Sequence, residues 1–337
     1  MRKMRGLQSV ELTRRPAIRS YDAIVGKKEG EGPLSPYFRH VVEDELFGES
    51  SFEGAERHFF ETAVRLALRR GGLHPTDVRY LLGGDLLNQI ISAGFAARSL
   101  HIPFLGLYGA CSTMAESLAI GSILVDGGYA DTVACAVSSH FSAAERQYRF
   151  PLELGNQRTP TAQWTVTGAG CTVLSDEGEG LCVSGLTIGT VRDYGVTDAN
   201  NMGAAMAPAA ADVLLRHFFD FDRGPEAYDL ILTGDLGSVG QKLTRRILLE
   251  AGIDLGPNYV DGGCLIYDSA TQDVHAGGSG CGCSAVVLNG CILDKMARGE
   301  YDRILFCATG ALLSPTTTLQ GESIPAIAHA VVIERRR

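Results

Sequence analysis

Two halves of the chain repeat one another, and this constrains the fold more than any other feature of the sequence. Tyr80-Leu-Leu-Gly-Gly-Asp85-Leu pairs with Leu230-Ile-Leu-Thr-Gly-Asp235-Leu. Gly109-Ala-Cys-Ser followed by Tyr129-Ala-Asp-Thr-Val-Ala-Cys matches Gly280-Cys-Gly-Cys followed by Glu300-Tyr-Asp-Arg-Ile-Leu-Phe, at the same spacing. Both halves close on a small-residue run into an apolar strand, Gly168-Ala-Gly-Cys-Thr-Val-Leu-Ser and Ala326-Ile-Ala-His-Ala-Val-Val-Ile. A duplication of this length means one supersecondary unit used twice. The polar, glycine-rich Asp176-Glu-Gly-Glu-Gly180 is the connection, giving halves at 1–178 and 179–337.

Within each half, short apolar runs alternate with helical stripes, the pattern of βαβ units and a mostly parallel sheet. The segment from Glu53 to Arg70 carries Ala55, Phe59, Ala63, Leu66 and Ala67 on one face, as a surface helix does. Thr113 to Val125 and Ser284 to Ala297 are apolar nearly all round, as helices covered on both sides must be. One such helix per half implies a helical layer between two sheets. Met202 to Ala211 reads as the start of a tightly packed helix.

Composition sets the outer limits. With 45% apolar and 20% charged residues the chain buries a sizeable core and is not disordered. Its net charge of −9 repels phosphate backbones, so nucleic acid is not an expected partner. The uncharged stretch Val274 to Leu293 is long enough to span a bilayer, but its five glycines and polar His275, Ser279, Ser284 and Asn289 mark protein interior. Nine scattered cysteines, with no signal peptide ahead of them, suit a reducing, cytoplasmic-type compartment. No phosphate-binding Gly-x-x-x-x-Gly-Lys-Ser/Thr loop is present, and no lipidation motif.

Phe104-Leu-Gly-Leu-Tyr-Gly-Ala-Cys111-Ser112-Thr113 is a strand, a tight turn, and a cysteine at the first turn of a buried helix. A helix N-terminus favours a thiolate and any bound carboxylate. The plainer alternative is that Cys111 is a small buried hydrophobe. Cys281 and Cys283, one residue apart among glycines, suit close packing better than zinc.

At these residues the sequence resembles the thiolase superfamily, and beyond it the stage V sporulation protein AD family. The blocks that carry the resemblance are Gly84-Asp-Leu-Leu-Asn-Gln89, Gly109-Ala-Cys-Ser-Thr113, Ser138-Ser-His140 with Ala144-Glu-Arg-Gln147, Met202-Gly-Ala-Ala-Met-Ala-Pro-Ala-Ala-Ala211, Gly277-Gly-Ser-Gly-Cys281 and Ala308-Thr-Gly-Ala-Leu-Leu-Ser-Pro-Thr316. The resemblance implies a thiolase-like five-layer αβαβα fold with a nucleophile-position cysteine at the start of a central helix. It also implies a soluble protein, expected to be a homodimer, that binds dipicolinic acid or its calcium chelate for uptake into the spore. Membrane proteins of the same sporulation operon are its expected partners, and they would hold it peripherally at the spore inner membrane.

Acyl-transfer chemistry asks for more than a cysteine: relatives stabilise the enolate and move protons with His plus Asn, His plus His, or His plus a second Cys. Here the corresponding turns read Thr233-Gly234-Asp235 and Gly277-Gly278-Ser279-Gly280, without an imidazole. The expectation is therefore a non-catalytic descendant of a condensing enzyme that needs no cofactor, with His140, His275 and His329 as substitutes should one reach Cys111. The rivals are a 3-ketoacyl synthase or thiolase acylated at Cys111, and a structural docking subunit with a vestigial pocket.

The ligand-binding expectations follow from dipicolinate, a flat pyridine with two carboxylates. Cys111 and Ser112 offer helix N-terminal donors. Asp85 and Asn88 follow the first Gly-Gly strand end, where α/β proteins place ligand contacts, and Asp85 would take the open side of a ligand-borne calcium. His140 closes the strand after the cysteine helix. Arg149, with Arg146 and Arg158 in the same long segment, suits carboxylate recognition, and its aromatic neighbours suit a pyridine ring; the same segment suits a dimer interface.

Overall fold

The computed structural model describes residues 3–148 and 158–336. The first half contributes strands β1 (Ala17–Gly26), β2 (Tyr80–Gly84), β3 (Phe104–Gly106), β4 (Thr132–Ser139) and β5 (Gly168–Ser175). Its helices are α1 (Phe52–Arg70), α2 (Ile91–Leu100), α3 (Thr113–Asp126) and α4 (Phe141–Tyr148). The second half contributes β6 (Leu181–Ile188), β7 (Leu230–Thr233), β8 (Tyr259–Asp261), β9 (Arg303–Ala311) and β10 (Ala326–Arg335). Its helices are α5 (Met202–Phe221), α6 (Gly237–Glu250) and α7 (Cys281–Val287). After α7 the helix passes through a π turn, Leu288–Ile292, into Leu293–Ala297.

The duplication is visible in the pairing. The first half runs β3-β2-β4-β5-β1 and the second β8-β7-β9-β10-β6. In each, the outer three strands are parallel and the inner junctions antiparallel. The two ladders meet edge to edge where Ala17 stands opposite Cys182. The chain crosses between halves in the turn from Ser175 to Leu181, with Gly178 and Gly180 at positive φ.

Successive strand residues face opposite sides, and this places the layers. Leu82, Val133, Cys135 and Val137 of the first half, and Leu232, Ile304 and Phe306 of the second, face a shared core with Met114, Leu118, Cys283 and Val286 of α3 and α7. Their neighbours Leu81, Ala134 and Ala136 face outward onto Phe59, Phe60 and Val64 of α1. Ile231, Leu305 and Cys307 face outward onto Met206, Ala210 and Leu214 of α5. The result is helix, sheet, paired central helices, sheet, helix. Each fully buried Phe or Leu in these layers contributes roughly 2 kcal/mol of apolar transfer.

α1 begins where Ser51 accepts the Gly54 N–H at 3.1 Å, with Glu53 in its first turn and Arg69 and Arg70 in its last, matching the helix dipole. The Val274 to Leu293 stretch lies largely inside, as its glycines and polar residues imply, and no described helix is long and apolar enough to cross a membrane.

Candidate functional site

β3 leads through Leu107-Tyr108-Gly109 into a single 3-10 turn, Ala110–Ser112, and then α3. Ala110 sits at φ +49°, a conformation an alanine adopts only when its surroundings force it. The force comes from the other half. Gly310 of β9 packs so closely that a Cβ there would lie 2.0 Å from Gly109 O and 3.1 Å from Cys111 N. The cysteine turn is thus built by one half and pinned by the other.

Cys111 is 5% exposed and lines a cavity of about 30 Å³ with Leu86, Tyr148, Thr165, Ser279 and Leu313, room for about two waters. The thiolate that a helix start favours is opposed here by burial. Burial pushes the Cys111 thiol well above its ordinary value, and Asp235 and Cys281 push it further. Desolvation outweighs what the helix start returns. Ser112 is not a free donor either: its hydroxyl donates to Gly109 O at 2.6 Å, while Thr113 Oγ1 donates to Ala110 O at 2.7 Å.

The residue that meets Cys111 is Asp235, at the turn the sequence marks as lacking an imidazole. It is fully buried after β7. Burial pushes its carboxyl up to about 8, and the nearby Cys111 thiol and the bond it accepts from Gly280 N–H draw it partly back. Gly280 N donates to Asp235 Oδ2 at 2.7 Å, whereas Oδ1 has no hydrogen-bond partner among the described residues. At neutral pH the pair is a neutral thiol against a largely protonated acid. The signal that could have found it is the duplication itself, which aligns Asp235 with Asp85.

Asp85 has a different task from the one expected. It is fully buried, with Oδ1 accepting Leu87 N at 2.8 Å and Oδ2 accepting Ala93 N at 2.7 Å. Both oxygens hold the start of α2, so neither is open to a ligand or a calcium ion; burial pushes this carboxyl up to about 6. Asn88 is accessible. It stands between a groove of about 380 Å³ shared with Arg146 and Gln147 and one of about 350 Å³ shared with Tyr108 and Pro315. Beyond it Gln89 and Ile90 take φ +58° and +47°, with the Ile90 side chain held against Gly106. Tyr108 and Tyr148 join hydroxyls at 3.0 Å, and Tyr148 also bonds Leu86 O; Tyr148 lines the Cys111 cavity and Tyr108 the second groove.

His140 is buried away from the cysteine: its Nε2 lies 2.8 Å from Glu45 O, its ring packs against Phe52 and Phe59, and burial lowers its pKa. His275 pairs with Asp273 at 3.2 Å, and His329 Nδ1 faces Gly189 N at 3.4 Å. None of the three hydrogen-bonds Cys111. Arg149 lies outside the described residues. Arg146 pairs with Glu53, and Arg158 lies over the Trp164 ring. Cys281 bonds Ser138 O at 3.0 Å and Cys283 approaches Gly234 O at 3.6 Å, both in close packing. Among the described residues no group of three or more His, Cys, Asp or Glu is placed to hold a metal ion.

Solved structures share this architecture. 3-Oxoacyl-[acyl-carrier-protein] synthase III from Aquifex aeolicus VF5 superposes with a TM-score of 0.60 at 14% identity, covering 95% of this chain and 99% of that one. A single-residue variant of OleA from Xanthomonas campestris gives 0.61 at 13% identity, covering 96% and 99%. At such identities the likeness shows the thiolase-like fold alone. A relative from Bacillus subtilis (strain 168) described as "Stage V sporulation protein AD" is 47% identical over 318 residues, 94% of each chain. The family model of the same description, Stage V sporulation protein AD (SpoVAD), matches residues 6–334. The chain belongs to the stage V sporulation protein AD family.

Proposed function

We propose that this sporulation protein is a non-catalytic binder of dipicolinic acid, free or as its calcium chelate, within the spore's uptake machinery. The observation that carries the non-catalytic part is the Cys111–Asp235 pair, a thiol kept protonated by burial beside an acid pushed up to about 8, with no imidazole in contact. Burial disfavours a thiolate nucleophile there, and above about pH 8 the Asp235 carboxylate opposes it further. Family membership supports the ligand. Calcium, where present, arrives with dipicolinate, because Asp85 offers it no open oxygen.

The protein acts as a homodimer through the β3 edge, where Ile91, Phe95, Leu105 and Tyr108 leave apolar surface exposed beside the backbone of an edge strand. Partners of the same operon bring it to the membrane. Calorimetric titration of dipicolinate, with and without calcium, tests the central reading: saturable heat supports it, and none in either condition overturns it. Incubation with acyl-coenzyme A thioesters is expected to leave Cys111 unmodified by mass spectrometry; an acyl adduct there would return the protein to the enzymes.

A further inference from the structure

The sequence reads α3 as a helix covered on both sides, and the structure leaves one face of it open. Glu116, Ile120, Ile123 and Leu124 are not buried, whereas every other residue from Thr113 to Asp126 is. These positions recur with the period of a single helix face. The duplicate shows the same layer closed. Cys281 to Leu293 is buried throughout, with Phe38 seated on Gly290 and Arg39 paired with Asp294. The chain's own segment 34–40 thus covers α7 and its continuation, and leaves the stripe on α3 open.

Beside the stripe runs the free edge of β3. Phe104 faces the α1 layer, so Leu105, which is 43% exposed, and Leu107 face the α3 layer. Strand edge and stripe make one apolar surface, and Glu116 interrupts it. The repeat that sets Gly109 on Gly280 sets Glu116 on the fully buried Val287. Glu116 is half-buried, and its Oε2 is enclosed without a hydrogen-bond partner among the described residues, 2.6 Å from where a Gly109 Cβ would stand. The elements packed on α3 bring titratable groups near it: Tyr108 and Cys111 on the preceding turn, Asp85 after β2, Cys135 on β4, Cys281 on α7 and His329 on β10. None of them shifts the Glu116 carboxyl, and burial alone raises it.

We propose that the open face of α3 packs against the same face of a second copy, about a two-fold axis at the β3 edge, and that Glu116 must be protonated for the two copies to close. This rests on the homodimer reading above and adds to it the residue that controls assembly. The exposed backbone of an edge strand is complementary to its own copy in antiparallel pairing, and that pairing sets α3 beside α3 with both Glu116 side chains in one dry contact. A carboxylate there gives up water and gains no donor, whereas a protonated carboxyl can itself donate. The Glu116 carboxyl, already raised in the single chain, therefore rises further on association. Dimer formation takes up protons, so it is strongest at low pH and is lost as pH rises through the dimer's value. Asp85, Asp235 and Glu29 are already buried in the single chain, so association leaves their surroundings unchanged.

Sedimentation velocity of the full-length protein over a dilution series gives the dimer dissociation constant at about pH 5.5 and about pH 8.5. The constant is expected to rise about tenfold or more between them. Glu116→Gln keeps the shape and a donor without the charge, and is expected to flatten that rise while holding the low-pH affinity. Ile123→Glu, at a position exposed in the single chain, is expected to abolish the dimer at both pH values, with far-ultraviolet circular dichroism unchanged to show that the fold is intact. A dimer whose affinity ignores pH, or whose pH dependence survives in Glu116→Gln, overturns the inference and leaves the homodimer standing. A dimer indifferent to Ile123→Glu lies on another face and overturns it equally. Monomers at every concentration and pH overturn both.

Discussion

The two halves share a backbone plan and have divided the work between them. After β2, Asp85 gives both carboxylate oxygens to backbone N–H groups at the start of α2. After β7, Asp235 occupies the matching place, yet the capping is done by Asp261, which accepts from Leu236, Gly237 and Cys264 N–H groups. Asp235 is released to face Cys111. The central helices differ in the same way: α3 is entered through Ala110 at φ +49°, pinned by Gly310, and α7 through Gly280 at φ +97°, packed on Ser139. A duplicated fold keeps its scaffold in one copy while the other frees a carboxylate for a site between them.

The largest expected effect is at the crossing where each half holds the other's helix start. Gly310→Ala places a Cβ 2.0 Å from Gly109 O, against backbone that cannot swing aside. A loss of at least about 3 kcal/mol in denaturant unfolding is expected. Its counterpart Ser139→Ala loses a hydroxyl that donates to Val166 O at 2.6 Å and accepts Gly282 N at 3.1 Å, and is expected to cost about 1–2 kcal/mol. Equal costs would show that the cysteine turn is no tighter than its duplicate.

Next in size is the pair of aspartates. Asp85→Asn replaces one oxygen by an amide that cannot accept a backbone N–H, and is expected to cost about 2 kcal/mol at neutral pH. Asp235→Asn keeps an oxygen for Gly280 N–H and removes a buried acid whose Oδ1 lacks a hydrogen-bond partner among the described residues, so its cost is expected to stay under about 1 kcal/mol. Urea unfolding of both variants measures the difference; the reverse order would return the capping role to Asp235.

This pair also shows what the sequence can and cannot tell. The five-layer fold is legible because the period of two along the strands, the all-round apolar central helices and the repeated blocks agree. The roles of the two aspartates are not, because Gly-Asp-Leu reads alike in both halves. What separates them is Asp261, remote in sequence from Asp85 and brought beside β7 only by the parallel pairing of β8. Cys111 is legible as a position, but its ionisation is not: a helix start is visible in sequence, whereas complete burial beside a second acid is a product of packing. His140 is drawn to the site by its strand end, yet its ring turns outward onto α1 between Phe52 and Phe59.

The pH dependence of stability gives a further test. Asp235 rises to about 8 on folding, so between roughly pH 4 and 8 the folded chain holds a proton that the unfolded chain releases. Stability contributed by that proton is complete below the unfolded value and is lost as pH rises through the folded one. Asp85 and Asp261, each pushed up to about 6, and Glu29 at about 7 act in the same sense but finish earlier. Stability is expected to fall from pH 5 to pH 8, and Asp235→Asn to shrink that fall by at least about 1 kcal/mol. An unaltered slope in the variant would mean that Asp235 titrates normally.

The smallest expected effect bears most directly on the site. Above about pH 8 Asp235 becomes a carboxylate beside Cys111 and holds the thiol protonated, so alkylation of Cys111 by iodoacetamide lags behind that of an ordinary thiol. In Asp235→Asn the rate at pH 9 is expected to rise about fivefold, with little change at pH 6, where the acid is already neutral. Cys281 is the internal control: fully buried and bonded to Ser138 O, it lines no part of the cavity and should remain unmodified in both proteins. Peptide mass spectrometry follows the two cysteines separately. Equal reaction of Cys111 and Cys281 would erase the difference between the halves, and a Cys111 rate indifferent to Asp235 at pH 9 would break the pair on which the non-catalytic reading stands.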